Sequence, residues 1–113
     1  MPKKNNKITV KYKGNEYDIC FTLNVMEIIE DKYNSMQEWG ELAEAGNIKA
    51  IKFGLTEAIN EGIDIYNDEH EEKREFLSDK QVGRMLTDLG LEEAATKLRK
   101  SVVEATKSDE KNS

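Results

Sequence analysis

Any chemistry in this chain of 113 residues must be built around one histidine and one cysteine. His70 lies in Asp68-Glu69-His70-Glu71-Glu72, a setting that invites a metal ion. A zinc-hydrolase helix needs His-Glu-x-x-His, and Arg74 occupies the place of the second histidine. One imidazole among carboxylates has neither a fixed geometry nor the outer partners that orient a ligand. Asp64-Ile65-Tyr66-Asn67-Asp68 spaces oxygen donors along the chain but lacks the glycine and the closing bidentate glutamate of a calcium loop. Both stretches read as solvated charged runs, and neither a metal nor a cofactor is expected.

Cys20 fares no better as a nucleophile. A reactive thiol needs a base beside it, and the only histidine is far along the chain. Gly-x-Ser-x-Gly, Gly-x-Gly-x-x-Gly and the phosphate-binding loop are absent. Glu71 and Glu72 are adjacent, so they do not share a helix face. The chain reads as a non-enzyme. The side chains left without a role are large and apolar. Trp39 fits the apolar stripe of a short helix, while Phe53 lies off the main face of its own segment. Trp39 and Phe53 are the candidate protein contacts, since exposed aromatics anchor interfaces; for Phe53 a widened core stripe comes first.

The elements that hold these residues change period at Phe21-Thr22. Before it, Ile8, Val10 and Tyr12 alternate with Lys7, Thr9 and Lys11, and Tyr17, Ile19 and Phe21 alternate again after Lys13-Gly14-Asn15-Glu16. That is a β-hairpin over 7–21 with Gly14 and Asn15 supplying positive φ at the turn. Cys20 falls on the face opposite Ile19's, toward solvent or under another element. A lone hairpin is marginal in water, so its apolar face must rest on the helices that follow.

Those helices carry their own punctuation. Thr22 caps a segment with Met26, Ile29 and Tyr33 on one stripe and Val25 beside it. Ser35-Met36-Gln37-Glu38 and Ser78-Asp79-Lys80-Gln81 have the spacing of capping boxes. Met36, Trp39, Leu42 and Ala43 form the next short face, ended by Gly46. Asn47 caps a helix with Ile48, Ile51, Leu55, Ala58 and Ile59 at helical spacing, and Gly62 reads as its stop. Residues 63–77 show no sustained period and read as an exposed connector or a solvated helix. Val82, Met85, Leu86 and Leu89 stripe one further helix, Gly90 stops it, and Leu91, Ala94, Ala95, Leu98, Val102 and Ala105 stripe the last. Leu77 before the Ser78 cap suits a hydrophobic staple onto Val82.

The fold class is therefore α+β, mostly α: a two-stranded antiparallel hairpin packed on four to five short helices. Residues 1–6 are expected to be a flexible start, 7–106 a single domain, and 107–113 a disordered polar tail. The chain holds 17 Lys and Arg against 23 Asp and Glu, a net charge of −6. Residues 1–21 carry five Lys against Glu16 and Asp18, or +3, leaving −9 for the rest. A protein this acidic is a poor binder of nucleic acid, whose affinity comes from cations on phosphates. The hairpin lysines suit a blunted strand edge first, and only after it a phosphate or acidic partner. A single cysteine, no signal-like segment and no long apolar run point to a reducing cytoplasm and no membrane span.

The order of parts resembles a known family. Phe21-Thr22-Leu23-Asn24 closes the hairpin and enters an acidic helix with Ile28-Ile29-Glu30-Asp31-Lys32-Tyr33-Asn34, followed by Met36-Gln37-Glu38-Trp39. The chain then closes on Leu77-Ser78-Asp79-Lys80-Gln81-Val82-Gly83-Arg84-Met85-Leu86 and Leu89-Gly90-Leu91-Glu92-Glu93-Ala94. Over residues 7–105 this resembles the tail assembly chaperones of long-tailed phages and prophages, especially those of Gram-positive hosts. The resemblance implies a helical protein of the host cytoplasm that binds the tape measure protein. It also implies recruitment of tail tube protein, weak self-association, absence from the mature virion and, in many members, a longer frameshifted form. It brings no catalytic residues. The alternative is a small phage or plasmid regulator acting through the basic hairpin, although no helix-turn-helix with a basic second helix is present.

Overall fold

The computed structural model describes residues 7–111, with side chains through Thr106. Strand β1 (Thr9–Tyr12) pairs antiparallel with β2 (Asn15–Asp18), in the register Thr9↔Asp18, Val10↔Tyr17, Lys11↔Glu16, Tyr12↔Asn15. That register leaves only Lys13 and Gly14 in the turn, at φ 51° and 80°. Two consecutive positive φ values give a turn whose twist matches the strands. Here the structure corrects the sequence reading. Lys13, not Asn15, takes the second positive φ, and Asn15 already pairs as the first residue of β2. The ladder gains one more bond, Ile19 N–H to the Ile8 carbonyl at 2.9 Å. The chain then turns away, and Cys20 N–H donates at 3.2 Å to the carbonyl of Ala58.

Five helices follow: α1 (Leu23–Tyr33), α2 (Met36–Glu44), α3 (Ile48–His70), α4 (Asp79–Leu89) and α5 (Leu91–Lys111). Each of the first four is entered through a polar cap. Thr22, Ser35, Asn47 and Ser78 accept from the amides of Val25, Glu38, Ala50 and Gln81. The Ser78–Gln81 box is complete in both directions. At Ser35 only the forward half forms, because the Glu38 carboxylate takes Asn34 Nδ2 at 3.3 Å instead.

Helix α3 is the axis of the molecule. Ala50, Ile51, Leu55, Ala58 and Ile59 are fully buried along it, and the other four helices and β2 pack around it. The hairpin contributes Val10, Tyr12, Ile19 and Phe21 to the same core, with Val25 and Ile29 from α1 and Ala94 and Leu98 from α5. Ile8 and Met26 pack on it half-buried. Leu77 and Val82, the two ends of the expected staple, both belong to the core, while Phe76 is exposed.

Two expectations along α3 are overturned. Gly62 does not end the helix, which runs on for two turns to His70. A Cβ at Gly62 would lie 2.7 Å from the carbonyl oxygen of Asp18, so glycine is there to let α3 approach the hairpin. Residues 63–70 therefore belong to α3, and Ile63 is buried. Glu71, at φ 54°, ends the helix. Residues 72–78 then return along α3 as an irregular strap. Leu42 and Ile48, expected in apolar stripes, are exposed. Leu42 lies about 100° around α2 from Ala43, which takes the core line, and Ile48 is the first residue after its cap. The expectations for residues 1–6 lie outside the described residues. Of the tail expected to be disordered from 107, the backbone of 107–111 continues α5, and 112–113 lie outside the described residues.

Candidate binding groove

Helices α2 and α5 flank a groove that encloses about 710 Å³. Its floor begins with Trp39, whose position is over-determined. The indole N–H donates to the Ala50 carbonyl at 2.9 Å, and the ring sits 5.7 Å from that of Phe21. Gly54 lets it lie flat on α3, because a Cβ there would collide with the Trp39 ring. Trp39 is 3% exposed, so its ring belongs to the core and only its edge reaches the groove.

The α2 wall adds Met36, Gly40 and Ala43; the α5 wall adds Ala95, Leu98, Val102 and Val103. Small residues on both walls hold the groove open, and Val103 stands 47% exposed at its lip. The rim is polar. Arg99 Nη1 and Glu44 Oε2 meet at 2.8 Å across the groove, an exposed pair that ties α5 to the end of α2. Gln37 donates to Glu41 at 3.3 Å. A pocket of this size, apolar inside and polar at its edge, accepts apolar groups presented by a partner.

The two aromatic candidates separate here. Phe53 is not in the groove. It is half-buried, edge-on to Tyr33 at 5.8 Å, with the Lys32 ammonium 5.2 Å from its ring centroid. Trp39 and Phe53 are thus not parts of one surface. The α5 wall of the groove is not among the sites expected from the sequence. Its signal there is Val103 beside Val102, one apolar position wider than a stripe that only needs to face the core.

His70 and Cys20 do not line the groove. His70 stacks on Tyr66 with centroids 4.0 Å apart, and its Nδ1 lies 3.0 Å from the Tyr66 carbonyl. No group of three or more metal-ligating side chains occurs among the described residues. Cys20 is half-buried, and burial, aided by Asp18, pushes its thiol above the ordinary value. That favours the neutral, unreactive form. Another cleft, of about 320 Å³, lies where Arg74 sits between Tyr17 and Tyr66, 5.5 and 4.7 Å from their centroids. There the guanidinium staples the strap to the hairpin and to α3. No described helix is long and apolar enough to cross a membrane.

No family model matches the chain, and no curated protein or solved structure matches it.

Proposed function

We propose that this chain is a tail assembly chaperone of a long-tailed phage or prophage, a non-catalytic protein that binds the tape measure protein during virion morphogenesis. The α2–α5 groove is the observation that supports the reading beyond the resemblance over residues 7–105: a preformed apolar trough with a polar rim, left unfilled by the described residues. A tape measure helix exposes apolar stripes until the tail tube surrounds it, and such stripes aggregate. Laid in a groove of this kind, one stretch of stripe is covered while the acidic outer faces keep the complex in solution.

The scale is modest. Helix α2 has nine residues and so spans about 13 Å at ~1.5 Å per residue. A groove of that length covers two to three turns of a partner helix, which suits affinities on the order of micromolar per copy. Many copies then coat one long helix, and neighbours gain from effective concentration, which favours weak self-contact. Weak contacts also permit release as tail tube protein arrives, so the chaperone acts in the host cytoplasm and leaves before the virion is complete.

Co-expression with the tape measure gene of the same genome is the test. Soluble tape measure protein that co-purifies with this chain supports the proposal. Equal insolubility with and without the chain, or tight binding of the chain to operator DNA, defeats it in favour of the regulator reading.

A further inference from the structure

The rim of the groove says more about its occupant than the floor does. Helix α2 carries Glu38, Glu41 and Glu44 and no cation. Among the described residues, only Glu44 meets a positive charge, Arg99 on the opposite wall at 2.8 Å. Glu38 and Glu41 receive neutral amides instead, from Asn34 and Gln37, each at 3.3 Å. Arg99, the one cation lining the groove among the described residues, is therefore already engaged. Of Glu38 and Glu41, only Glu41 lines the groove, and it has no charge partner among those residues. Burying an apolar face in the trough displaces water from beside Glu41, which makes an unpaired carboxylate there more costly and a cation more favourable.

Resting on the chaperone reading, we infer that the groove selects an amphipathic α-helix whose apolar stripe is edged on one side by Lys or Arg, lying with that edge along α2. The apolar stripe fills the space between Met36, Trp39, Leu98 and Val103. The basic edge meets Glu41. Acid-edged helices of equal apolar content are rejected by like charge, which gives the groove a way to choose among exposed helices.

Two synthetic helical peptides test this. They share one leucine stripe, and one carries Lys and the other Glu along the same edge. Trp39 is the only tryptophan and borders the groove, so its emission reports occupancy directly. With the full chain, the Lys-edged peptide is expected to bind roughly two- to fivefold more tightly, the scale of one exposed ion pair. The preference should shrink as salt is raised. Glu41→Lys should weaken the Lys-edged peptide and strengthen the other, and Val103→Asp should abolish both. Equal binding of the two peptides overturns the charge selection and leaves the groove a helix site, so the chaperone reading survives. Binding of neither peptide, joined to failure of the tape measure co-purification, overturns both. A chain that dimerises in light scattering and becomes monomeric on Val103→Asp assigns the groove to a second copy, and the inference falls.

Discussion

The side-chain amide of Asn60 takes both backbone hydrogen bonds of Leu77. Its Nδ2 donates to the Leu77 carbonyl at 3.0 Å, and its Oδ1 accepts from the Leu77 N–H at 2.8 Å. Two turns further along α3, Asn67 does the same for Arg74, at 3.0 and 2.9 Å. An irregular strap has no neighbouring strand to satisfy its polar groups, and the two asparagines stand in for one. They also seat Leu77 in the core and place Ser78 where it caps α4.

Asn60→Ala is therefore expected to destabilise the protein by about 1–3 kcal/mol, because it leaves a half-buried donor and acceptor unpaired. Asn60→Asp keeps the acceptor but sets a half-buried carboxylate oxygen against the Leu77 carbonyl, so it should lose at least as much. Urea unfolding gives the magnitudes, and hydrogen exchange at the Leu77 amide should accelerate more than exchange in α5. A Leu77 amide equally protected in Asn60→Ala would show that packing of the Leu77 side chain alone holds the strap.

Two helical glycines make an opposed pair. At Gly62 an added methyl meets the Asp18 carbonyl oxygen at 2.7 Å, and that oxygen belongs to backbone that cannot swing aside. Gly62→Ala gains about 1 kcal/mol of helix propensity but must push α3 off the hairpin, an overpacking cost of about 1–3 kcal/mol. The net effect should be destabilising. At Gly83 the nearest atom is Lys52 Cδ at 3.6 Å, an ordinary contact with a flexible side chain. Gly83→Ala should stabilise by about 0.5–1 kcal/mol. Thermal unfolding of the two variants should move in opposite directions.

Gly62 also marks where the sequence stopped being informative. Caps and periods are local, and the hairpin, the Ser78–Gln81 box and the stripes of α1, α4 and α5 could be read from them. A glycine that ends a helix and a glycine that admits a neighbouring backbone look alike in one dimension. Only the position of Asp18, distant in sequence, separates them. The two turns beyond Gly62 were obscured for a related reason. Their outer face is charged, and Ile63, which completes the apolar line of Leu55 and Ile59, was discounted with it. The groove was less legible still. Trp39, Ala95, Leu98 and Val102 all read correctly as apolar-face residues. That α2 and α5 stand apart, leaving those faces incompletely closed on one another, follows from helix placement and not from either stripe.

Glu57 supplies a pH dependence. Burial raises its carboxyl above the ordinary value of 4.5. A raised acid binds its proton more tightly in the folded than in the unfolded chain, so between the two values the native state holds more protons. This contribution to stability is complete below 4.5 and is lost as pH rises through the folded value. Above that window the folded protein carries a partly desolvated carboxylate. Glu57→Gln, neutral at every pH, should unfold at a higher urea concentration than the parent at neutral pH. The gap should close as pH falls toward 4.5, with other carboxylates common to both proteins. A gap independent of pH would place the effect of the substitution in packing.

Val103 and Trp39 face the same groove and should answer differently when changed. Val103 is 47% exposed and its side chain has no polar atom to bond, so Val103→Asp should shift stability by no more than about 0.5 kcal/mol. It puts a charge at the mouth of an apolar trough, where an arriving apolar stripe must desolvate it, so helix capture should fail in a folded protein. Trp39 is 3% exposed, bonded to Ala50 and seated on Gly54 and Phe21. Trp39→Ala should cost about 3–5 kcal/mol and lose capture through loss of fold. Trp39→Phe keeps a ring beneath the groove and forfeits chiefly the bond to the Ala50 carbonyl, about 1 kcal/mol. Binding should then survive with a lower unfolding midpoint. The check is to measure unfolding and peptide anisotropy on the same preparations. If Val103→Asp binds as the parent does while Trp39→Phe, still folded, does not, the partner contacts the protein elsewhere than between α2 and α5.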